Sequence, residues 1–134
     1  MIAVDSSVAI AGFATWHDQH AAAAKVLSQR PRLIAHAAIE TFSVLTRLPP
    51  PHRAQAGLVE RFLRSRFPRE PLCLPAERYA ELIAVLAGKQ IVGGQVYDAL
   101  IGCTAAEHNA TLVSLDQRAS LIYKAVGVSV EQPA

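Results

Sequence analysis

Cysteine, charge and long apolar runs are all scarce in this chain, and each scarcity removes a class of protein. The two cysteines, Cys73 and Cys103, lie in no CxxC or Cys/His spacing, which leaves zinc chemistry without ligands. Each sits in apolar company (Leu72-Cys73-Leu74 and Ile101-Gly102-Cys103), so both are expected to act as small hydrophobes in a reducing cytoplasm. No run reaches the roughly 18 uncharged apolar residues of a membrane helix. No basic, apolar leader precedes the first apolar run, so nothing points to export. Charged residues make up 18% and the net charge is only +2, too little by itself to mark a nucleic-acid binder. Aromatics are 6%, so the core is expected to be Ala, Leu, Val and Ile.

What the chain does have is apolar content, 51% over 134 residues, enough for one expected domain spanning 1–134. Short apolar runs alternate with helix-forming stretches. Ile2-Ala3-Val4 reads as a buried strand, and Ser7 to Phe13 can begin a short helix. Alanine-rich residues 17–29 predict a helix that Arg30-Pro31-Arg32 stops. Leu33-Ile34-Ala35 is a second strand, followed by a helix from His36 with Ile39, Phe42, Leu45 and Leu48 as its apolar face, ending at three prolines. Residues 54–66 predict an amphipathic helix, Leu72-Cys73-Leu74 a third strand, and Pro75 to Gly88 a helix. Val96 to His108 predicts the next helix, Thr111 to Leu115 a strand, Arg118 to Lys124 a short helix, and Val126 to Val130 a last strand. Strands alternating with helices predict a parallel sheet in an α/β layer fold.

The acids give that fold a purpose. The chain has four aspartates, at 5, 18, 98 and 116, and two of them close apolar strands. Asp5 follows Ile2-Ala3-Val4, and Asp116 follows Leu112-Val113-Ser114-Leu115. In open α/β sheets ligands gather outside the carboxyl ends of the strands, so neighbouring strands would bring these carboxylates together. Asp98 and Glu40 are expected in the first turns of helices that start on the same edge. Capping of helix N-termini accounts for any one of the four. Four acids near one point repel each other, which a bound cation relieves. Oxygen-only donors favour Mg²⁺ or Mn²⁺.

The order of these motifs resembles a known family. Val4-Asp5-Ser6-Ser7, then Ile39-Glu40-Thr41-Phe42-Ser43-Val44-Leu45-Thr46-Arg47-Leu48, Tyr97-Asp98-Ala99-Leu100-Ile101 and Thr111-Leu112-Val113-Ser114-Leu115-Asp116 resemble the PIN-domain ribonucleases, especially VapC-type toxins of toxin–antitoxin pairs. The resemblance covers essentially the whole chain. It implies a three-layer α/β/α PIN-like fold with a short central parallel sheet of four to five strands. It also implies a catalytic quartet of Asp5, Glu40, Asp98 and Asp116, with Asp5, Asp98 and Asp116 holding the metal and Ser6 and Ser114 supporting them. Metal-dependent hydrolysis of RNA, an antitoxin that silences the toxin, and a homodimer are the functional expectations. The family often has an aromatic shortly after the last acid, where this chain has Gln117-Arg118-Ala119.

An acidic pocket needs positive charge nearby to hold RNA. Between Arg47 and Arg69 lie six arginines and one acid, Glu60. Arg61 and Arg64, three apart, can share a helix face, and with Arg47, Arg53, Arg66 and Arg69 could track a phosphate backbone. Two other readings compete. An aspartyl-phosphate enzyme would also place Asp5 at a strand end, but wants a second Asp two residues on, where this chain has Ser7. A non-catalytic interaction module could use the acidic pocket to bind a basic partner segment.

Overall fold

The computed structural model describes residues 1–133. Its elements run β1 (Ile2–Val4), α1 (Ser6–Phe13), α2 (His20–Leu27), β2 (Arg32–Leu33), α3 (Ala35–Arg47), α4 (Ala56–Arg66), a 3₁₀ turn (Ala76–Arg78), α5 (Tyr79–Lys89), α6 (Gln95–Glu107), β3 (Thr111–Val113), α7 (Gln117–Ala125) and β4 (Val130–Glu131). The four strands form one parallel sheet in the order β2-β1-β3-β4. Parallel pairing needs crossover connections, and the intervening helices supply them. Helices α1 to α4 pack on one another, while α6 packs against α5 and α7, giving the three-layer α/β/α arrangement.

The register sets up everything that follows. Val4 stands opposite Leu33 on one side and Val113 on the other, so β1 is central and its carboxyl end is flanked by those of β2 and β3. Ala3, Val4 and Leu112 are fully buried, as apolar runs with no alternation require in a sheet covered on both faces. The core is indeed aliphatic, with one exception, the fully buried Tyr123 of α7.

Several expectations need correction. Leu72-Cys73-Leu74 makes only a single parallel bridge, Leu72 to Ile34, rather than a strand. Its alternation still shows, since Leu72 and Leu74 are buried and Cys73 faces solvent, contrary to its expected role as a core hydrophobe. In α3 the buried stripe is Ala37, Thr41 and Leu45, at i, i+4 and i+8. Ile39 is 72% exposed and Phe42 37%, so the helix is rotated from the face its apolar residues suggested. Because α3 begins at Ala35, Glu40 lies in its second turn and cannot cap it. Asp98, by contrast, is in the first turn of α6 as expected.

Candidate active site

Asp5 ends β1 and caps α1. Its Oδ1 accepts from the backbone N–H of Ser7 (3.1 Å) and Val8 (3.4 Å) and from Ser7 Oγ (2.5 Å). Its Oδ2 accepts from Ser114 Oγ (2.6 Å) and from the Tyr123 hydroxyl (2.8 Å). Five donors therefore converge on a carboxylate that is 2% exposed. Burial raises its pKa, and the bonds from Ser114, Ser7, Tyr123 and Val8 pull the other way. The phenol of Tyr123 is pushed far up, first by burial and then by the charge of Asp5, so it stays a proton donor.

The same hydroxyls tie the two strand ends together. Ser7 Oγ accepts from Leu115 N (2.8 Å), and Ser114 Oγ accepts from Asp116 N (3.0 Å). Asp116 in turn caps α7, accepting from the N–H groups of Arg118 (3.0 Å) and Ala119 (3.1 Å). Capping and convergence are thus not alternatives here; the same carboxylates do both. Glu40 reaches the site from α3, where Ser6 Oγ donates to its Oε1.

Asp98 completes the set from α6. Its carboxyl is raised to about 6, first by desolvation and then by the charges of Asp116, Glu40 and Asp5. The charges of the other three acids therefore all reach Asp98. Among the described residues, none of the four forms an ion pair with Lys, Arg or His.

A PIN domain family model matches residues 2–125. This chain belongs to the PIN domain family. It is 48% identical over 131 residues to Ribonuclease VapC40 of Mycobacterium tuberculosis, covering 98% of each protein. It is 44% identical over 130 residues to Ribonuclease VapC27 of the same organism, covering 96% of this chain and 94% of that one. The fold is also similar to that of a chain of FitAcB from Neisseria gonorrhoeae, at a TM-score of 0.69 and 19% identity, over 99% of this chain and 98% of that one.

The donor set of this PIN domain suits a hard divalent cation: four carboxylates, neighbouring hydroxyls, and no sulfur or imidazole among them. Among the described residues no three acid, His or Cys side chains are drawn together as a ready-made ion shell. Asp5 shows why. A carboxylate offers about four lone-pair positions, and five donors already occupy those of Asp5. To ligate an ion it must release a hydroxyl, whereas Asp98 is only partly buried and Asp116 is exposed.

Three features escaped the sequence. Tyr123 lies seven residues after Asp116, beyond the place where an aromatic was sought, and reaches Asp5 because α7 lies close against α6. Gly102 permits that approach: a Cβ there would stand 3.0 Å from Val126 Cγ2 and 3.1 Å from Tyr123 Cδ1. Ser7 proves as important to the strand ends as Ser114. His36 and Tyr97 stack with parallel rings (5.2 Å, 3°), bridging α3 to α6 one helical turn before Glu40 and directly before Asp98. The six arginines do not form one groove. Arg64 pairs with Glu60 (3.3 Å) on an exposed face of α4, which also carries Arg61, Arg53 donates to Leu48 O, and Arg66 and Arg69 line a separate cleft.

Proposed function

We propose that this PIN-domain protein is a divalent-metal-dependent endoribonuclease that acts as the toxin of a toxin–antitoxin pair. The observation that carries the reading is Asp98, raised to about 6 with three other acids contributing, none of the four forming an ion pair among the described residues. The names of two relatives, both ribonucleases, supply the reaction class. Asp5, Asp98 and Asp116 would hold Mg²⁺ or Mn²⁺, with Glu40 completing the site. When bound, such an ion acidifies water and polarises the phosphodiester.

The chain's own groups do the rest. Glu40, gripped by Ser6, orients the attacking water. Ser114 and Tyr123 hold Asp5, and Ser114 also fixes the backbone of Asp116. An open groove of about 520 Å³ lined by Ser7, His17, Asp116 and Arg118 leaves room for substrate beside Asp116. Arg61 and Arg64 would meet phosphates, and the exposed ring of Tyr97 offers a flat face to a base. Exposed Ile39 and Phe42 offer apolar surface to an antitoxin and to a second copy of the chain. Among the described residues no helix is long and apolar enough to cross a membrane, and the expected compartment is the cytoplasm.

The test incubates bacterial RNA with the antitoxin-free protein and with its Asp98→Asn form, under Mg²⁺, Mn²⁺ and EDTA. Discrete metal-dependent cuts that disappear in the variant are expected. Cutting that persists in Asp98→Asn, or in EDTA, would sink the assignment. No cutting by either form, with a tight complex to a small basic protein, would favour the non-catalytic binding module.

A further inference from the structure

A second cleft lies away from the acids. It lies beside the edge strand β2, has a volume of about 210 Å³, and is lined by Arg30, Arg32, Arg66 and Arg69 with Phe67 and Pro68 among its walls. No Asp or Glu lines it, and among the described residues none of these four arginines forms an ion pair. Four guanidiniums around so small a volume repel one another, as the four carboxylates do elsewhere.

The cleft is also partly built in advance. Arg32 Nη2 donates to the Glu70 carbonyl and Arg69 Nη2 to the Arg30 carbonyl, so two of the guanidiniums are held by backbone. Arg32 Nε is buried and has no hydrogen-bond partner, alone among the buried side-chain nitrogens and oxygens of the described residues. Such a donor, on a cation, calls for an acceptor. Arg30 takes φ of +55°, a conformation usual for glycine or asparagine after a helix, and there its carbonyl receives Arg69.

We propose that this cleft binds a phosphate group, its oxygens accepting from the free guanidinium edges of Arg30 and Arg66 beside the anchored guanidiniums of Arg32 and Arg69. Guanidinium forks match tetrahedral oxyanions and can donate two parallel bonds. The phosphate comes from inorganic phosphate or from the backbone of RNA. Arg32 stands opposite Ala3 in the neighbouring strand, two residues before Asp5, so it lies about 7 Å back from the acid edge along the strand direction. An RNA strand leaving the acids could therefore place a remote phosphate here. That source rests on the ribonuclease reading; the phosphate site does not.

The experiment follows the arginine Nε–H resonances of the ¹⁵N-labelled full chain during titration with inorganic phosphate, with chloride matching ionic strength. A saturable shift of Arg32 Nε–H is expected, with affinity lowered about tenfold in Arg66→Gln. Among the described residues the Arg66 side chain makes no hydrogen bond, so this variant keeps its fold when Arg32→Gln does not. A second arm measures single-stranded RNA binding to Asp98→Asn in EDTA, with and without Arg30→Gln/Arg66→Gln. Weaker binding and a salt slope shallower by about 0.7 per lost contact would identify RNA as the source. Unchanged RNA binding with the phosphate shift intact would identify free phosphate. No phosphate-dependent shift of Arg32, or a stronger response to a polyglutamate peptide than to phosphate, would overturn the proposal. Because the first arm needs no cleavage, it reads the cleft even if the protein cuts no RNA.

Discussion

The carboxyl edge of the sheet and the cleft beside β2 solve opposite problems with the same material. At the first, the charges of three acids reach Asp98, and among the described residues none of the four forms an ion pair; at the second, four arginines line one cleft, and among the described residues none of them does. The acid side is heavily braced: hydroxyls of Ser6, Ser7, Ser114 and Tyr123 all donate to its carboxylates. The arginine side is braced by two carbonyls and leaves one buried N–H without an acceptor. Like charges gathered without counterions inside the chain point, in both places, to a ligand of the other sign. The difference lies in bracing, and that is where the comparison can be pressed.

The largest effect should come from removing the least braced acid. Asp98→Asn is expected to lower the cleavage rate by on the order of a hundredfold or more while raising thermal stability in EDTA. A variant that cut normally would break the account of the acid side. Next comes the bracing itself. Tyr123→Phe deletes a bond to a buried carboxylate and should cost about 2 kcal/mol in denaturant unfolding. No measurable loss would mean that Asp5 does not depend on the phenol.

Gly102→Ala crowds Val126 and Tyr123 and should cost about 1–2 kcal/mol by forcing α7 away from α6. Combined with Tyr123→Phe it should be less than additive, because both act on the same bond. The smallest effect is a pH trend. Asp98 is raised to about 6 in the folded chain from the ordinary aspartate value of 3.8, so between these values the native state binds more protons than the unfolded one. Stability in EDTA should therefore fall as pH rises from about 4 through 6, and Asp5, also raised, adds in the same direction. The denaturation midpoint of the wild-type chain should drop more between pH 5 and 7 than that of Asp98→Asn. Equal drops would remove Asp98 as the cause.

Much of the acid edge was legible because it is written locally. An apolar run that stops at a carboxylate marks both a strand end and a helix cap; Asp5 proved to be both, whereas Asp116 caps α7 three residues beyond the end of β3 at Val113. The register of β1 with β3 then did the rest. Glu40 was visible as an acid but not as a second-turn residue, because the start of α3 depends on β2 ending at Leu33. Tyr123 was hidden because its meaning depends on how closely α7 approaches α6, which no local pattern encodes. The cleft was hidden for a similar reason. Arg30 and Arg32 follow α2, while Arg66 and Arg69 follow more than thirty positions later, and only packing joins them. Counting arginines between 47 and 69 found half of it. The Ile39 and Phe42 face misled because period alone cannot tell a buried stripe from an exposed one beside it.

The central claim is that the four acids form one site whose mutual charge a divalent ion would discharge. Carboxyl ¹³C titration of Asp98 tests it most directly, in the metal-free protein and again at saturating Mg²⁺. The account predicts titration near pH 6 without metal and a fall below that value with it. Titration at the ordinary carboxylate value without metal, or a curve that Mg²⁺ leaves unmoved, would contradict it.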